Sequence, residues 1–274
     1  MIKQLNAPKV ILAGAGPGDP DLVTVKTLRY IKAADVLIVD RLVDQSLLDY
    51  AKLGVKIFFV GKEGGNPYSF TQESINQLIV AEAKLGRLVL RLKGGDVSFF
   101  SNVFSELETL VANNISYEII PGVTAASGAA AYAGIPLTAR GFASSVRFLT
   151  YTHPELVDEK QIRELASTED TLVLYMASKN LPQLVSRLLK NEISEEKWVA
   201  VVEQATTPGQ KVFSYPVKEF LSGTRERRFR SPSIIIIGKV AKLNQQFNWF
   251  NASKVDENFF PTVQTDFLNT AKVA

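Results

Sequence analysis

Short apolar runs alternate with amphipathic stretches through the first half of the chain. Runs of mostly aliphatic residues predict strands at 9–13, 36–40, 56–60, 87–92 and 116–120. Apolar residues at helical spacing predict helices at 23–34, 47–53, 71–85, 103–112 and 125–133. Strands that alternate with helices indicate a largely parallel sheet covered on both faces, which is the α/β class.

The second half predicts a mixed sheet. Its predicted strands are 145–151, 171–176, 198–202, 211–215 and 233–238, and its predicted helices are 158–166, 181–190 and 217–221. A turn at 207–210 between two of these strands predicts an antiparallel hairpin. Glycine and proline punctuate 136–144, so we expect one α/β domain at 1–140, a second at 141–242, and a short helix with a mobile tail at 243–274.

Composition excludes several kinds of site. The 274 residues include no cysteine, so disulfides, thiolate metal sites and a cysteine nucleophile are ruled out, and a single histidine, His153, argues against a histidine zinc site. We therefore expect no metal. The net charge of +3 is too small to indicate nucleic acid by itself. Neither a signal-peptide pattern nor a run of about 18 apolar residues is visible, so we expect a cytoplasmic chain without a membrane partner.

Three glycine-bearing loops follow predicted strands of the first half. They occupy 14–21 (GAGPGDPD), 91–96 (RLKGGD) and 121–128 (PGVTAASG). The carboxyl ends of parallel strands share one edge of a sheet, where ligands of open α/β sheets bind, and glycine lets the backbone approach such a ligand. The sequence therefore predicts a ligand cleft at this edge.

The first loop has other interpretations. A dinucleotide-binding loop would need glycine where Asp19 stands, although Asp40 could serve as the ribose-binding acid of such a fold. A plain strand-to-helix turn, with Asp21 or Asp19 capping the helix, is a third possibility. Elsewhere, Arg225–Arg230 (RERRFR) is typical either of a nucleic-acid patch or of a solvated turn, with the turn favoured, and His153 is typical of a surface loop.

Several uncommon blocks, in order and spacing, resemble the uroporphyrinogen-III C-methyltransferases of the tetrapyrrole methylase family. The resemblance runs from about residue 9 to 250, and its blocks are 10–34, 40–43, 60–62, 89–96, 120–140, 144–147, 174–176 and 231–232. It implies two α/β domains, with S-adenosylmethionine in the cleft between them and S-adenosylhomocysteine as its product. It also implies a homodimer that methylates C-2 and C-7 of uroporphyrinogen III to give precorrin-2, the branch point to sirohaem and cobalamin.

The resemblance also assigns residues. Those implied to contact the cofactor are Pro17, Gly94, Gly95, Asp96, Phe99, Thr124, Ala125, Met176 and Ala205, of which Phe99 and Ala205 differ in type from the family's usual residues. Asp40 matches a proton acceptor and Lys62 a proton donor. Asp40 could instead cap a loop or pair with Arg41, and Lys62 could bind a substrate carboxylate. Because the substrate carries eight carboxylates, Arg41, Arg140 and Arg147 are expected to bind it, with surface solvation as the alternative.

The chain departs from the family pattern in a few places. Residues 97–104 (VSFFSNVF) replace a segment that usually includes Gly-Arg-Gly, and Ala139 replaces a common histidine. Thr150-Tyr151-Thr152-His153 stand where Thr-Gly-His is usual. These changes concern the substrate side more than the cofactor. Two alternatives therefore stay open: a related methyltransferase acting on a later corrin intermediate or on RNA, and a tetrapyrrole or nucleoside binding module without turnover.

Overall fold

The computed structural model describes residues 9–61, 70–252, 258–260 and 270–271, which fall into two compact units. The first unit takes in the described residues up to Ala125, with Phe260 and a two-residue strand near the C-terminus. The second unit runs from Ala126 to Phe259. The domain limits at 140 and 242 stay a prediction.

The first unit is built on one sheet whose strands alternate with helices. Its elements are β1 (Val10–Gly14), α1 (Val25–Ala33), β2 (Val36–Val39), β3 (Lys56–Phe59), α2 (Gln72–Lys84), β4 (Val89–Lys93), α3 (Val103–Ala112), β5 (Tyr117–Ile120) and the first residue of α4 (Ala125–Tyr132), with 3-10 helices at Pro20–Leu22 and Gln45–Tyr50. The predicted helix at 47–53 is thus a 3-10 helix, which Asp44 caps through the Ser46 N–H.

The strand order of the first sheet is β3-β2-β4-β1-β5, and all four pairings are parallel. The strand Thr270–Ala271 adds antiparallel to β3 at the edge. Aliphatic side chains fill both faces, because alternate residues of each strand point to opposite sides. The predicted parallel sheet is confirmed.

The second unit contains the rest of α4 and a mixed sheet. Its remaining elements are β6 (Val146–Thr150), α5 (Glu159–Ser167), β7 (Thr171–Tyr175), α6 (Leu181–Lys190), β8 (Trp198–Glu203), β9 (Lys211–Pro216), α7 (Phe220–Gly223), β10 (Ser233–Gly238) and α8 (Asn244–Phe247), with short 3-10 helices at Pro154–Leu156, Ser178–Asn180 and Lys239–Leu243. The sheet order is β6-β7-β10-β8-β9. Of the pairings between neighbouring described strands, β6 with β7 is parallel and the other three are antiparallel.

The hairpin predicted at 207–210 is confirmed, since β8 and β9 are antiparallel and Glu203 lies opposite Lys211. The helix predicted at 217–221 is wrong in its start: Val217 is buried beside β9, and α7 begins only at Phe220. One face of this sheet packs against α5, α6 and α7 around Leu184, Val201 and Phe220.

Candidate functional site

The three glycine loops meet in the first unit. A Cβ added to Gly122 would lie 2.3 Å from the Gly95 carbonyl oxygen and 2.9 Å from the Gly14 Cα. A Cβ added to Gly14 would likewise lie 2.6 Å from the Gly95 oxygen. Because a side chain at either position would collide with backbone, the loops can approach this closely only as glycines. The predicted convergence of the loops is confirmed, and we call Gly14, Gly95 and Gly122 the glycine cradle.

Hydrogen bonds fix the cradle. Gly16 and Gly95 exchange backbone hydrogen bonds of 3.2 and 2.6 Å, and Pro17 follows this bridge. Asp96 is buried, and its carboxylate accepts the N–H of Gly122 at 2.8 Å and that of Ser98 at 2.7 Å. Asp96 therefore ties the second loop to the third, whatever further contact it makes.

The predicted cofactor residues of the first unit lie around the cradle. Gly95 belongs to it, and Gly94 directly precedes Gly95. A Cβ added to Gly95 would lie 3.5 Å from the nitrogen of Ala125, which begins α4 directly after Thr124. Phe99 lies three residues beyond Asp96 and is partly exposed, at 38%.

The dinucleotide interpretation of the first loop is wrong. After the glycines, Asp19 accepts the Asp21 N–H at 2.9 Å and starts a 3-10 helix, while α1 begins only at Val25 with Thr24 as its N-cap. A dinucleotide-binding loop opens directly into a helix whose N-terminus receives the pyrophosphate, and the strand order β3-β2-β4-β1 also differs from that of such folds. Neither aspartate caps α1.

Asp40 ends β2 beside the second glycine loop. Its carboxylate accepts the Arg41 N–H at 2.9 Å, so it caps its own loop. Leu42, two residues after Asp40, packs closely on Gly94. A Cβ added to Gly94 would lie 2.8 Å from the Leu42 Cβ. The Nε of Arg41 is buried without a hydrogen-bond partner among the residues that the structure describes. The Arg41 guanidinium thus has donor capacity left for a ligand.

A buried cluster of charges lies behind Asp40, and the sequence analysis missed it. Glu106 of α3 accepts Lys93 Nζ at 2.9 Å and Arg91 Nε at 3.2 Å, and all three side chains are buried. Burial and the neighbouring Arg91 lower the pKa of Lys93, while Glu106 and Asp40 oppose this. Two cations in the otherwise apolar strand VLRLK were the available signal, because buried charges require partners.

The altered segment 97–104 contains strained backbone. Phe100 has φ +50° and Asn102 has φ +58°, which is the left-handed region that favours glycine. Asparagine tolerates this region, whereas phenylalanine does so at a cost. Phe100 and Phe104 are also exposed, so aromatic surface stands next to the cradle.

In the second unit, Met176 and Ala205 lie at the same edge of the sheet. Met176 follows β7 and Ala205 follows β8, two strands with the same direction. Met176 has φ +52° and is 57% exposed, and Ala205 stands between Gln204 at φ +45° and Thr206 at φ +68°. An exposed methionine in a strained conformation is a feature of ligand sites rather than of cores.

Arg140 and Arg147 lie at the other edge. Arg147 is ion-paired with Asp170, which precedes β7, whereas Met176 follows that strand. The Ser145 hydroxyl and Arg147 lower the pKa of Asp170 to about 2. Arg140 lines a cavity of about 670 Å³ together with Glu169 and Asp170. The structure therefore brings these two arginines near each other and near acidic residues, and not near Met176 and Ala205.

Three further residues complete the comparison with the sequence. Lys62 lies outside the described residues, so its role stays a prediction. His153 is exposed in a loop beside Glu155, as expected. The Arg225–Arg230 segment is not simply a solvated turn, since Phe229 and Arg230 are half-buried. Among the described residues, no group of His, Cys, Asp and Glu could hold a metal ion, and no helix is long and apolar enough to cross a membrane.

Fold and cradle together define an α/β protein whose glycine loops meet at the carboxyl edge of a parallel sheet. Residues 9–221 match the family model of the tetrapyrrole (corrin/porphyrin) methylases. The chain belongs to this family, and the predicted family is confirmed.

Known proteins extend the comparison. The chain is 41% identical over 246 residues to a siroheme synthase of Vesicomyosocius okutanii, covering 90% of this chain and 53% of that protein. The chain thus spans about half the length of the curated relatives it matches. A uroporphyrin-III C-methyltransferase from Thermus thermophilus, solved with S-adenosyl homocysteine, is 31% identical with a TM-score of 0.71, covering 86% of this chain and 99% of that one. A cobalt precorrin-4 methyltransferase is 28% identical with a TM-score of 0.75, covering 85% and 95%.

Proposed function

We propose that this chain is an S-adenosylmethionine-dependent methyltransferase that methylates C-2 and C-7 of uroporphyrinogen III to give precorrin-2. The observation that carries the proposal is the glycine cradle, in which three loops lie too close for any side chain at Gly14 or Gly122. The similar Thermus thermophilus enzyme, solved with S-adenosyl homocysteine, supports this choice of cofactor and substrate.

The residues present fit the cofactor. The cradle offers glycine-lined backbone, and next to it Arg41 keeps a buried Nε without a partner among the described residues. Pro17, Gly94, Gly95, Asp96, Phe99, Thr124 and Ala125 would hold the cofactor from the first unit, and Met176 and Ala205 from the second. S-adenosylmethionine supplies an electrophilic methyl group when bound.

The chain's own residues position the acceptor and move a proton. Methyl transfer to carbon depends mainly on alignment, which contributes about 7–11 kcal/mol at best. Asp40 follows β2, and the second oxygen of its carboxylate accepts no hydrogen bond from a described residue, so it accepts the proton that the ring system loses after methylation. Lys62 matches the family's proton donor, and as a cation it would also bind a substrate carboxylate. Arg41 binds a substrate carboxylate near Asp40.

The alternatives make different predictions. A later corrin intermediate is kept open by the similar cobalt precorrin-4 methyltransferase, whose higher TM-score accompanies a lower sequence identity. A binding module without turnover is kept open by the strained segment 97–104.

Assembly as a homodimer in the cytoplasm belongs to the same proposal, and sedimentation of the purified chain would test the dimer.

One assay tests the proposal. We expect the protein, incubated with uroporphyrinogen III and isotope-labelled S-adenosylmethionine, to give a product heavier by two methyl groups. The matched variant D40N should still bind S-adenosylhomocysteine but lose most turnover, because it keeps the size and loop-capping oxygen of Asp40. Binding of S-adenosylhomocysteine without transfer by the wild type would favour the binding module, and transfer only to a later corrin would favour the related enzyme.

A further inference from the structure

The Arg-rich segment 225–230 is fixed against the sheet of the second unit. The Phe229 ring lies 5.8 Å from that of Phe213 and 6.0 Å from that of Phe220, measured between centroids. The Arg227 guanidinium lies 4.0 Å from the Phe213 centroid, which is cation–π distance. The Arg230 N–H donates to the buried Glu203 carboxylate at 2.7 Å. The fold therefore sets where these arginines stand.

This fixed segment encloses a cavity of about 480 Å³. Its charged lining residues are Lys211, Arg227, Arg228 and Arg230, together with Glu203 and Glu226. Among the described lining residues, four side chains are cationic and two are carboxylates, so cations outnumber acids there. Arg228 is exposed and has no hydrogen bond or ion pair with any described residue. Guanidinium groups bind carboxylates in a two-pronged geometry, so an anionic group is the ligand this lining suits.

The cavity lies at the sheet edge that carries Met176 and Ala205. Glu203 is the last residue of β8, and Ala205 follows it by two positions. Lys211 begins β9 opposite Glu203, and Arg230 precedes the start of β10. By contrast, Arg140 and Arg147 stand at the opposite edge among acidic residues. Arg227, Arg228 and Arg230 of the Arg-rich segment, together with Lys211, thus share an edge with the proposed cofactor residues of the second unit.

We propose that this cavity binds carboxylate side chains of the tetrapyrrole substrate, an inference that rests on the proposed function. A polycarboxylate macrocycle needs cations beyond Arg41, and the cavity is large enough for a short carboxyalkyl arm. Glu203 weakens the binding, because its charge opposes an incoming carboxylate, while its hydrogen bond to Arg230 shapes the site. A nucleic-acid strand is disfavoured, because the cavity is a local pocket that includes two acidic side chains.

Uroporphyrin III provides a probe that does not depend on turnover, because it is fluorescent, stable and has the same eight carboxylates. We expect R228Q to weaken its binding about threefold to tenfold and to reduce the salt dependence. R225Q is the matched control, since Arg225 belongs to the same segment but does not line the cavity, and its affinity should stay within about 1.5-fold. E203Q should bind the probe more tightly. Coproporphyrin III, with half the carboxylates, should respond less to R228Q.

The outcomes separate this inference from the proposed function. Equal probe affinities of R228Q and R225Q would overturn the inference. Displacement of the probe by single-stranded RNA would also overturn it, if RNA binding depended on Arg228 to the same degree as probe binding. A wild type that binds uroporphyrin through Arg228 but transfers no methyl group would overturn the proposed function and leave the carboxylate site standing. A wild type that binds no uroporphyrin but methylates uroporphyrinogen III would overturn the carboxylate site and leave the proposed function standing. Because Arg228 is exposed, R228Q should keep the wild-type melting temperature. E203Q provides a second variant, for which the expected change in probe affinity has the opposite sign.

Discussion

Single residues decide how closely the loops of the first unit approach. Gly122 illustrates this, because it has no special requirement visible in the sequence beyond its place in a Pro-Gly turn. The structure shows that its Cα faces the Gly95 carbonyl oxygen and the Gly14 backbone. The sequence could therefore predict that the loops share an edge, while the contact between them depends on tertiary packing that no local pattern encodes.

The variant G122A tests the cradle. A methyl group there would lie 2.3 Å from a backbone oxygen, so the loops must separate. We expect S-adenosylhomocysteine affinity, measured by calorimetry, to fall at least tenfold, and stability to fall by about 1–3 kcal/mol, as for overpacked sites.

The control for this change is G209A, whose added methyl group would come no closer than 3.4 Å to any described atom outside its chain neighbours, the nearest being the Gln204 side-chain nitrogen. It should leave S-adenosylhomocysteine affinity within about twofold. Unchanged affinity in G122A would show that the cradle is not the cofactor site.

Helix ends show which elements the sequence specifies locally. Gly86, Asn114, Gly134 and Glu192 each follow a helix with positive φ, and the backbone N–H groups around them bond to the last carbonyls of that helix. Glycine and asparagine suit this C-terminal position, whereas glutamate does not. The end of α6 is therefore stabilised by its hydrogen bonds despite an unsuitable residue.

Replacing Glu192 tests this at the level of one element. E192G should stabilise the protein by about 0.5–1 kcal/mol, because relief of the left-handed strain exceeds the extra entropy of glycine in the unfolded chain. N114G, at the equivalent position of α3, should change stability less, since asparagine already tolerates φ +53°. Denaturant unfolding measures both, and equal effects of the two variants would contradict the strain argument.

Strong local signals explain which elements were predictable. The bounds of α3, α6 and β10 agree with the prediction, since apolar periodicity defined the two helices and a run of isoleucines defined the strand. The 3-10 helix at Gln45–Tyr50 and the late start of α7 were not predictable, because short segments depend on tertiary contacts. The buried Arg91–Glu106–Lys93 cluster and the left-handed Met176 likewise arise only when distant segments meet.

At the scale of the whole molecule, stability and site chemistry meet at Glu203. This carboxyl group is buried at the end of β8, and burial raises its pKa despite the opposing effects of Arg230, Arg227 and Lys211. A raised folded-state pKa means that the group favours folding below its unfolded value of 4.5 and loses that contribution as the pH rises through the folded value. At a pH above the folded value, the ionised Glu203 therefore costs stability, which is consistent with a role in shaping the cationic cavity.

The variant E203Q should remove this cost, because glutamine keeps an acceptor for the Arg230 N–H without a charge. We expect its melting temperature to exceed that of the wild type at pH 7 to 8, and the difference to shrink as the pH falls towards 4. Glu219 is an exposed acid next to α7, so the control variant E219Q should show no comparable trend with pH. A stability gain for E203Q that is the same at pH 4 and pH 8 would mean that its charge is not responsible. The same substitution should also tighten uroporphyrin binding, so stability and probe affinity at neutral pH should rise together. If the ligand instead needed the Glu203 carboxylate directly, E203Q would lower the affinity.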